Sequence, residues 1–255
     1  MIKLSAVIIT YNEEKKIERC IQSLVEIADE IIIVDSCSTD KTKEICKTYN
    51  VKFIEQPFLG YKQQKNFAVE QAKYDYVLSL DGDEALSHEL MRSILEVKKD
   101  FNYDGYYVNR FNNYCGQWIK YSNWYPDRKL RLFKKGKGSW GGINPHDNFK
   151  MFFDTKTARL KGDLLHWNYS TYKEFDLKTD HFSSISAQSY YDLGRKAPIW
   201  RLIVHSIWAF FKSYIIRKGF LDGYNGFIIC FQTAKITYLK YSKLRQLYKK
   251  YPHYI

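Results

Sequence analysis

The chain has 255 residues, 45% of them hydrophobic and 27% charged, which is enough apolar material for a large packed core and excludes a disordered or fibrous chain. The formal net charge is +12, and residues 181–255 contain twelve Lys or Arg against two Asp, so most of the positive excess lies in the last third. This asymmetry predicts an anionic partner for the C-terminal part, either a phospholipid surface or nucleic acid.

The cysteines and the N-terminal residues both predict a cytosolic protein. The five cysteines are scattered and show no CxxC spacing, so we expect reduced thiols. The opening "MIKLSAVIITYNEE" has no basic segment followed by an apolar region and a small-residue cleavage site, and we expect no export by that route. The apolar stretch 202–216 is interrupted by His205 and Lys212. It is shorter than the roughly 20 residues of a membrane span, which favours a helix at the membrane surface.

The first hundred residues alternate strand and helix patterns. The apolar, β-branched runs "LSAVIIT", "EIIIVD", "VKFIE" and "YDYVLSLD" are typical of buried strands. Helical spacing follows each run, and we expect Asn12 to cap the first helix, Thr39 or Asp40 the second, and Ser87 the helix after the fourth strand. Such units require right-handed crossovers, which predicts a mostly parallel sheet with helices on both faces.

Polar segments follow three of these strands: "TYNEE", "DSCSTD" and "DGDEA". Because ligands bind outside the carboxyl ends of parallel strands, we expect the three segments to converge on one site. In the third, Asp81, Asp83 and Glu84 crowd together, and such carboxylates require a cation, hydrogen bonds or water. One interpretation is a Mg²⁺ or Mn²⁺ site with positions left open for substrate phosphates. The other is a capped turn, with Glu84 favouring the N-terminus of the next helix.

Beyond residue 100 the pattern changes. The segments "YDGYYVNRF", "LRLFKK" and "ARLKGDLLHW" predict antiparallel or mixed strands that complete the sheet. From Tyr172 onward the pattern is helical, with a break at Pro198 and a Gly-rich joint at residues 218–227. We therefore expect an α/β chain with a C-terminal helical extension.

Four segments of the first half resemble, in their order and spacing, the inverting family 2 glycosyltransferases of the GT-A fold. They are "VIITYNEE", "IIIVDSCSTD", "KNFAVEQA" and "VLSLDGDEAL". The later segments "RFNNYCGQWI", "WYPDRKLRLFKKG" and "RKGFLDGYNGF" resemble the branch that includes bacterial lipopolysaccharide-core β-glycosyltransferases. The resemblance implies a GT-A fold with a Rossmann-like central sheet. Residues 1–170 would form the nucleotide-sugar-binding and catalytic domain. Residues 171–255 interleave basic and aromatic residues, which predicts an extension that associates with membrane. The competing interpretation is that the aromatic residues pack as core and the charges are solvated.

The resemblance also implies a nucleotide-sugar donor, with a UDP-sugar as the first expectation, and a divalent Mg or Mn. The donor would be bound by Thr10, Tyr11, Asn12, Glu13, Asp35, Ser36, Lys65, Asp81 and Gly82. Within this set, Asp35 would contact the base and Lys65 would lie beside the diphosphate. The metal would be held by Asp83 first, then by Asp81, with His146 as a further ligand.

An inverting transfer needs a base that removes the proton of the acceptor hydroxyl. The resemblance places an acid in a loop well after the DxD motif, often within "HE". This chain has "NPHDNF", so Asp147 is the expected base with His146 beside it, and Asp127 of "YPDRK" is the alternative.

Three further residues carry open interpretations. His166 is a second ligand candidate, with a buried core histidine as the competing interpretation. Arg128 and Arg131 would either contact phosphate or belong to a strand with exposed basic residues.

The sequence thus predicts an enzyme that transfers a sugar to a glycolipid or lipopolysaccharide-core acceptor, or another cell-envelope glycan, at the inner face of the cytoplasmic membrane. A polyprenyl-phosphate glycosyltransferase is the alternative within the class. A non-catalytic basic protein that binds membrane or nucleic acid is the competing class. No nucleic-acid recognition motif is present and the basic excess lies away from the strand ends, so we expect no nucleic-acid partner.

Overall fold

The computed structural model describes residues 2–143 and 146–251, without the side chains of residues 143, 146 and 147. The strands are β1 Leu4–Thr10, β2 Glu30–Asp35, β3 Lys52–Glu55, β4 Tyr76–Asp81, β5 Glu84–Leu86, β6 Gly105–Tyr114, β7 Gln117–Trp118, β8 Asp127–Lys134, β9 Gly138–Ile143, β10 His146–Met151 and β11 Thr157–Tyr169. The helices are α1 Ile17–Gln22, α2 Thr42–Lys47, α3 Tyr61–Glu70, α4 His88–Val97, α5 Tyr172–Asp192, α6 Ile199–Phe211 and α7 Gly223–Lys250.

The first hundred residues build the parallel half of the main sheet. β1 pairs in parallel with β2, which places Thr10 opposite Asp35, and with β4, which places Ile9 opposite Asp81. β3 extends this half in parallel beyond β2. The order β3-β2-β1-β4 is the one that strand–helix–strand crossovers build, and it confirms the predicted α/β architecture.

Antiparallel strands complete the sheet, as the shorter segments beyond residue 100 predict. β8 pairs antiparallel with both β4 and β6, and β5 pairs antiparallel with β11. Within the described residues the main sheet follows the order β3-β2-β1-β4-β8-β6-β11-β5, with β7 paired to β6, while β9 and β10 form a separate hairpin. Because β8 is flanked on both sides, any charged side chain on it that points into the core needs a partner.

Both faces of the sheet are buried, which is why the strands read as continuous apolar runs. Leu4, Ala6 and Ile8 of β1 belong to one apolar cluster, while Val7 between them belongs to a cluster on the opposite side. The first cluster receives side chains from α1 and α4, and the second receives Ala68 of α3. Ser87 caps α4 as predicted, since its hydroxyl accepts the Leu90 N–H at 3.2 Å.

The described residues pack as two compact units. One comprises residues 2–111, 127–142 and 147–167, and the other comprises residues 112–126, 143, 146 and 168–251. The predicted boundary at residue 170 lies close to the last of these divisions, but the second unit also takes the segment 112–126. The assignment of the two predicted domains to catalysis and membrane association remains a prediction.

The second unit is helical, as predicted, with α5 and α6 packed against α7. Pro198 precedes α6, which continues into a π-helical segment, Lys212–Ile216. A short 3₁₀ turn, Gly219–Asp222, then leads into α7. Asp222 is buried in this joint and accepts the backbone N–H groups of Lys120 and Tyr121 at 3.1 and 2.8 Å. Among the described residues, one segment, Ile199–Ile216, is long and apolar enough to cross a membrane by length and composition, and 6% of it is buried.

Candidate active site

The three predicted polar segments meet at one edge of the parallel strands. Thr10 and Asp35 are direct neighbours in the β1–β2 ladder, and the backbone N–H of Gly82 donates to the carbonyl of Ile9 at 2.9 Å. Gly82 approaches β1 so closely that a Cβ atom there would lie 2.7 Å from the Thr10 hydroxyl. A side chain at position 82 would therefore push the acidic segment away from β1.

Asn12 joins the first two segments to each other. Its amide oxygen accepts the Thr39 N–H at 2.8 Å, and its own N–H donates to the Ser38 hydroxyl at 2.8 Å. The prediction that Asn12 caps α1 is wrong, because α1 begins after Lys16 without a side-chain cap. Asn12 has a φ of 52°, a left-handed conformation that Asn tolerates better than most residues, and this conformation belongs to the loop.

Asp35 and Ser36 lie at the end of β2, beside Thr10. Asp35 is fully buried, and its carboxylate accepts both the backbone N–H and the hydroxyl of Ser38. The Ser36 hydroxyl accepts the Gln64 side-chain amide of α3 at 3.1 Å. Tyr11, by contrast, is exposed. The Asp35 carboxylate therefore stabilises the turn that follows β2. The contact expected between Asp35 and the base of the nucleotide remains a prediction.

Asp81 is neutralised by two cations of the protein. Lys65 Nζ lies 3.1 Å from Oδ1 of Asp81, and Arg131 Nη2 lies 3.0 Å from Oδ2. Burial alone would raise the pKa of Asp81, but the charges of Lys65 and Arg131 outweigh it and hold the pKa well below its ordinary value. Asp81 is therefore an ionised carboxylate whose charge is already balanced, and the position of Lys65 beside a donor diphosphate stays a prediction.

Glu84 is also paired within the protein. Its carboxylate is fully buried, lies 2.6 Å from Nη2 of Arg131, and accepts the backbone N–H of Asp81 at 2.9 Å. The expectation that Glu84 favours the start of a helix is wrong, because it lies in β5 and α4 begins at His88. Pairing with a buried guanidinium explains why an acid is placed inside a strand.

Asp83 has a different partner from the other two acids. Antiparallel pairing of β5 with β11 sets His166 opposite Glu84, and the Trp167 N–H donates to the Asp83 carbonyl at 3.0 Å. His166 Nε2 then lies 3.3 Å from Oδ2 of Asp83. Burial raises the pKa of Asp83, and His166 lowers it by more, so the pKa lies below its ordinary value. His166 is buried, but it is buried against the acidic segment.

The Asp83 and His166 pair fits a divalent cation better than the Asp81 and Asp83 pair does. A carboxylate oxygen and an imidazole nitrogen 3.3 Å apart can share one ion and leave positions for substrate phosphates and water. Asp81 would first have to give up its contacts with Lys65 and Arg131. Within the described residues, no group of three or more His, Cys, Asp or Glu side chains is arranged to hold a metal ion.

The structure describes the side chain of one candidate base, Asp127, but not the side chains of Asp147 and its neighbour His146. Asp127, at the start of β8, accepts Nε and Nη2 of Arg110 at 2.9 and 2.7 Å and lies 3.2 Å from Lys129. Burial raises the pKa of Asp127, but Arg110 and Lys129 lower it by more, so the pKa is depressed and the carboxylate is a weaker base. His146 and Asp147 lie at the start of β10, and their side chains are outside the described part of the chain.

Sequence reasoning left Arg131 open and missed Arg110 and Trp140. Arg131 is 2% exposed, so the interpretation of "RKLRLFKK" as a strand with exposed basic residues is wrong at that position, whereas Arg128 is exposed. The crowding of Asp81 and Glu84 was the available signal, because buried acids require buried cations. Trp140 lies over Lys65, with the ammonium 4.4 Å from the ring centre, and no local pattern indicated it.

The parallel core of this order, completed by antiparallel strands, has the GT-A fold of glycosyltransferases. The chain belongs to glycosyl transferase family 2, whose family model matches residues 5–156. The predicted family, the GT-A fold and the assignment as a glycosyltransferase are thereby confirmed.

The relatives cover almost all of the chain. It is 36% identical to an uncharacterised glycosyltransferase of Rickettsia typhi over 97% of this chain and 88% of that protein. It is 30% identical to LpsC, a lipopolysaccharide core biosynthesis glycosyltransferase of Rhizobium meliloti, over 94% of each. The solved S. aureus TarS 1–349 in complex with UDP-GlcNAc is similar in fold, with a TM-score of 0.52 and 15% identity over 100% of this chain and 93% of that chain.

Proposed function

We propose that this protein transfers a sugar from a nucleotide-sugar donor, with inversion, to a hydroxyl of a lipopolysaccharide-core or related cell-envelope acceptor. The observation that carries the proposal is the meeting of Asp83 and His166 beside the cation-balanced Asp81 at the carboxyl ends of the parallel strands. The similarity to LpsC over 94% of both chains supports the acceptor class. A polyprenyl-phosphate acceptor is the alternative that the experiments below distinguish.

The donor would lie along the edge formed by the three strand-end segments. Its proposed contacts are those of the sequence analysis: Thr10, Tyr11, Asn12, Glu13, Asp35, Ser36, Lys65, Asp81 and Gly82. Lys65 supplies a buried ammonium at this edge, and a diphosphate that approached it would compete with Asp81 for that charge. A UDP-sugar is the first donor to test, since the structural neighbour was solved with UDP-GlcNAc.

Asp83 and His166 are the described residues that would hold a Mg²⁺ or Mn²⁺ ion. A bound ion of this kind stabilises the negative charge on a departing diphosphate as a Lewis acid. His146 was predicted as a further ligand and stays a proposal, since its side chain is not described. Asp81 would act mainly by keeping Lys65 and Arg131 in place.

Asp147 is the proposed base, with His146 as its neighbour. The base removes the acceptor proton as the hydroxyl attacks the anomeric carbon from the face opposite the diphosphate. Asp127 is the less suitable alternative, because two cations depress its pKa and reduce its ability to take a proton. The two acids can be separated by experiment because Asp127 forms an ion pair with Arg110, so that its removal should be seen as a loss of stability.

We propose further that α6 and the start of α7 rest on the inner face of the cytoplasmic membrane, where a lipid-linked acceptor would be found. Large apolar side chains along α6 are exposed in the second unit. They are Ile199, Trp200, Ile203, Val204, Ile207, Trp208 and Phe211. Lys212, Arg217 and Lys218 follow directly, and basic residues next to exposed aromatic residues suit the headgroup layer of an anionic membrane.

The direct test is a panel of UDP-, GDP-, dTDP- and ADP-sugars, each with and without Mn²⁺, in a thermal unfolding assay. A cognate donor should raise the melting temperature, and Mn²⁺ should increase the shift. Incubation with that donor and either a lipopolysaccharide-core or a polyprenyl-phosphate acceptor would then identify the acceptor, and NMR of the product would show the anomeric configuration. The proposal fails if no donor shifts the melting temperature or if the product retains the donor configuration.

A further inference from the structure

Trp140 of β9 covers the cationic side of the candidate donor site. Its ring lies over Lys65, with Nζ 4.4 Å from the ring centre, and the guanidinium carbon of Arg131 lies 5.7 Å from the same centre. Trp140 and Lys65 are both buried, so little water weakens the attraction between the ammonium and the ring face. Lys65 is thus held between the ring and the Asp81 carboxylate.

The residue after Lys65 binds the backbone of Trp140. Asn66 accepts the Trp140 N–H at 2.9 Å through its side-chain oxygen and donates its amide to the Trp140 carbonyl at 3.1 Å. The Asn66 side chain thus pairs with both backbone groups of Trp140, as two residues of neighbouring antiparallel strands exchange two hydrogen bonds. These bonds connect α3 to β9. Two adjacent residues of α3 therefore contact Trp140: Lys65 contacts its ring, and Asn66 binds its backbone.

The hairpin that carries Trp140 also carries the proposed base. β9 pairs with β10, whose first residues include Asp147. Trp140 packs edge-on against Phe149 of β10 at 5.7 Å, and Phe149 stacks on Phe133 of β8 at 3.6 Å. Movement of the hairpin relative to α3 would break the contacts of Trp140 with both Lys65 and Asn66.

We infer that Trp140 is a positioning residue that holds the Lys65 ammonium for the donor diphosphate and ties the hairpin bearing Asp147 to α3. This inference rests on the proposed function, because it assigns the diphosphate to Lys65. A diphosphate that draws Lys65 away from Asp81 leaves the ammonium against the ring, so the ring keeps the cation in the site when its carboxylate partner is displaced. The Trp140 indole N–H is buried and has no hydrogen-bond partner within the described residues, so the ring is placed by packing and by the backbone bonds to Asn66.

The test compares W140L and W140F with M151L, a change at a half-buried apolar position of β10 in the same hairpin, as the matched control. At position 140, Phe keeps a ring face for the cation and Leu keeps only apolar volume. The probes are UDP and uridine, or the nucleoside diphosphate and nucleoside of the base that the donor panel identifies. Their dissociation constants are measured by calorimetry on the full chain.

W140L should weaken UDP binding about 10- to 30-fold, the range that a desolvated cation–π contact supports, and leave uridine binding unchanged. W140F and M151L should bind UDP within about threefold of wild type. A structural role alone would weaken UDP and uridine alike in W140L, and that result would overturn the inference, as would unchanged UDP binding. A wild-type protein that binds no nucleoside diphosphate would instead contradict the proposed function.

A stability cycle tests the contact independently of any nucleotide. Urea unfolding of K65M, W140L and the double variant should give non-additive shifts in the midpoint, because the second substitution removes a contact that the first has already broken. The control cycle with K65M and M151L should be additive. Additive shifts in both cycles would overturn the contact between Lys65 and Trp140.

Discussion

Arg131 and Glu84 form a buried ion pair, with 2.6 Å between Nη2 and Oε1 and with 2% and 0% of the two side chains exposed. The same guanidinium nitrogen lies 3.0 Å from Asp81, so one cation from β8 pairs with the acid that ends β4 and with the acid that begins β5. The acids can crowd together in a basic protein because the fold delivers cations to two of them. The charges of Asp81 and Glu84 are thus balanced by cations of the protein, and the metal site predicted at Asp83 and Asp81 stays a prediction.

Removal of this cation should destabilise the fold. Arg131→Met would remove the nearer of the two guanidinium groups beside the buried Glu84 carboxylate, since Arg110 lies 3.7 Å away. We expect a loss of about 3–5 kcal/mol in the free energy of unfolding. Arg128→Met, at an exposed position of the same strand, should stay within about 0.5 kcal/mol of wild type. Urea denaturation measures both, and equal effects of the two substitutions would contradict the buried pairing.

Metal binding should depend on Asp83 and His166. Asp83→Asn or His166→Gln should weaken Mn²⁺ binding in calorimetry and lower turnover on the order of 10³-fold, as expected when several kcal/mol of transition-state stabilisation are lost. Glu89→Gln changes an exposed acid at the start of α4 and should leave both quantities unchanged. Full Mn²⁺ affinity in His166→Gln would show that His166 is only a buried partner of Asp83.

The two candidate bases should differ in their phenotypes. Asp147→Asn should leave donor affinity unchanged and lower turnover by about 10²- to 10⁴-fold, the usual contribution of a general base. Asp127→Asn should mainly reduce stability, since it removes the partner of Arg110. Donor titrations, initial rates and urea midpoints on both variants separate the roles. Loss of turnover in Asp127→Asn at full stability would reverse the assignment.

Stability at low pH should depend on Asp29, which lies away from the candidate site. Burial raises the pKa of Asp29, but hydrogen bonds from Lys98 and from the Leu4 N–H lower it by more, so the folded-state pKa lies below its ordinary value. The contribution of the ionised Asp29 carboxylate to the free energy of unfolding is therefore fully present above the unfolded-state pKa of about 3.9. It is lost as the pH falls through the folded-state pKa.

Urea midpoints measured from pH 7 down to pH 2 test this dependence on Asp29. Asp29→Asn should lower the urea midpoint at neutral pH. Its midpoint should then decrease less than that of the wild-type protein as the pH is lowered. Glu96→Gln, which removes an exposed pair with Lys99, should follow the wild-type curve. An Asp29→Asn curve parallel to wild type would exclude Asp29 as a source of the pH dependence.

Membrane association should depend on the apolar face of α6. The double variant Ile207→Ser and Trp208→Ser removes two side chains that are 65% and 53% exposed. Each loses about 1.5 kcal/mol or more of burial in the lipid interface, so binding to anionic vesicles should fall at least about tenfold. Leu177→Ser, at a position of α5 that is 65% exposed, is the control and should bind normally. Equal sedimentation of all three proteins with vesicles would refute the proposal.

Local patterns were sufficient for much of the fold. Apolar periodicity predicts the strands β1 to β4. Residue types with one dominant backbone preference predict the cap at Ser87, the break at Pro198 and the joint before α7. The meeting of the three polar segments follows as well, because the carboxyl ends of parallel strands share one edge. Asn12 was misjudged because its amide can serve a loop as readily as a helix end.

The pairings within the site followed from none of these patterns. Arg131 and Glu84 are 47 residues apart, and His166 reaches Asp83 only because β5 adds to β11 in antiparallel register. Such contacts depend on the order of strands in the sheet, which is set by the packing of the whole core.

The sequence by itself determined the class of fold, the family and the edge at which the site forms, since these depend on periodicity and on motifs that are contiguous in the chain. The tertiary structure alone decided which cation meets which acid. A buried charge must find its partner in space, and the distance between the two along the chain places no limit on that choice.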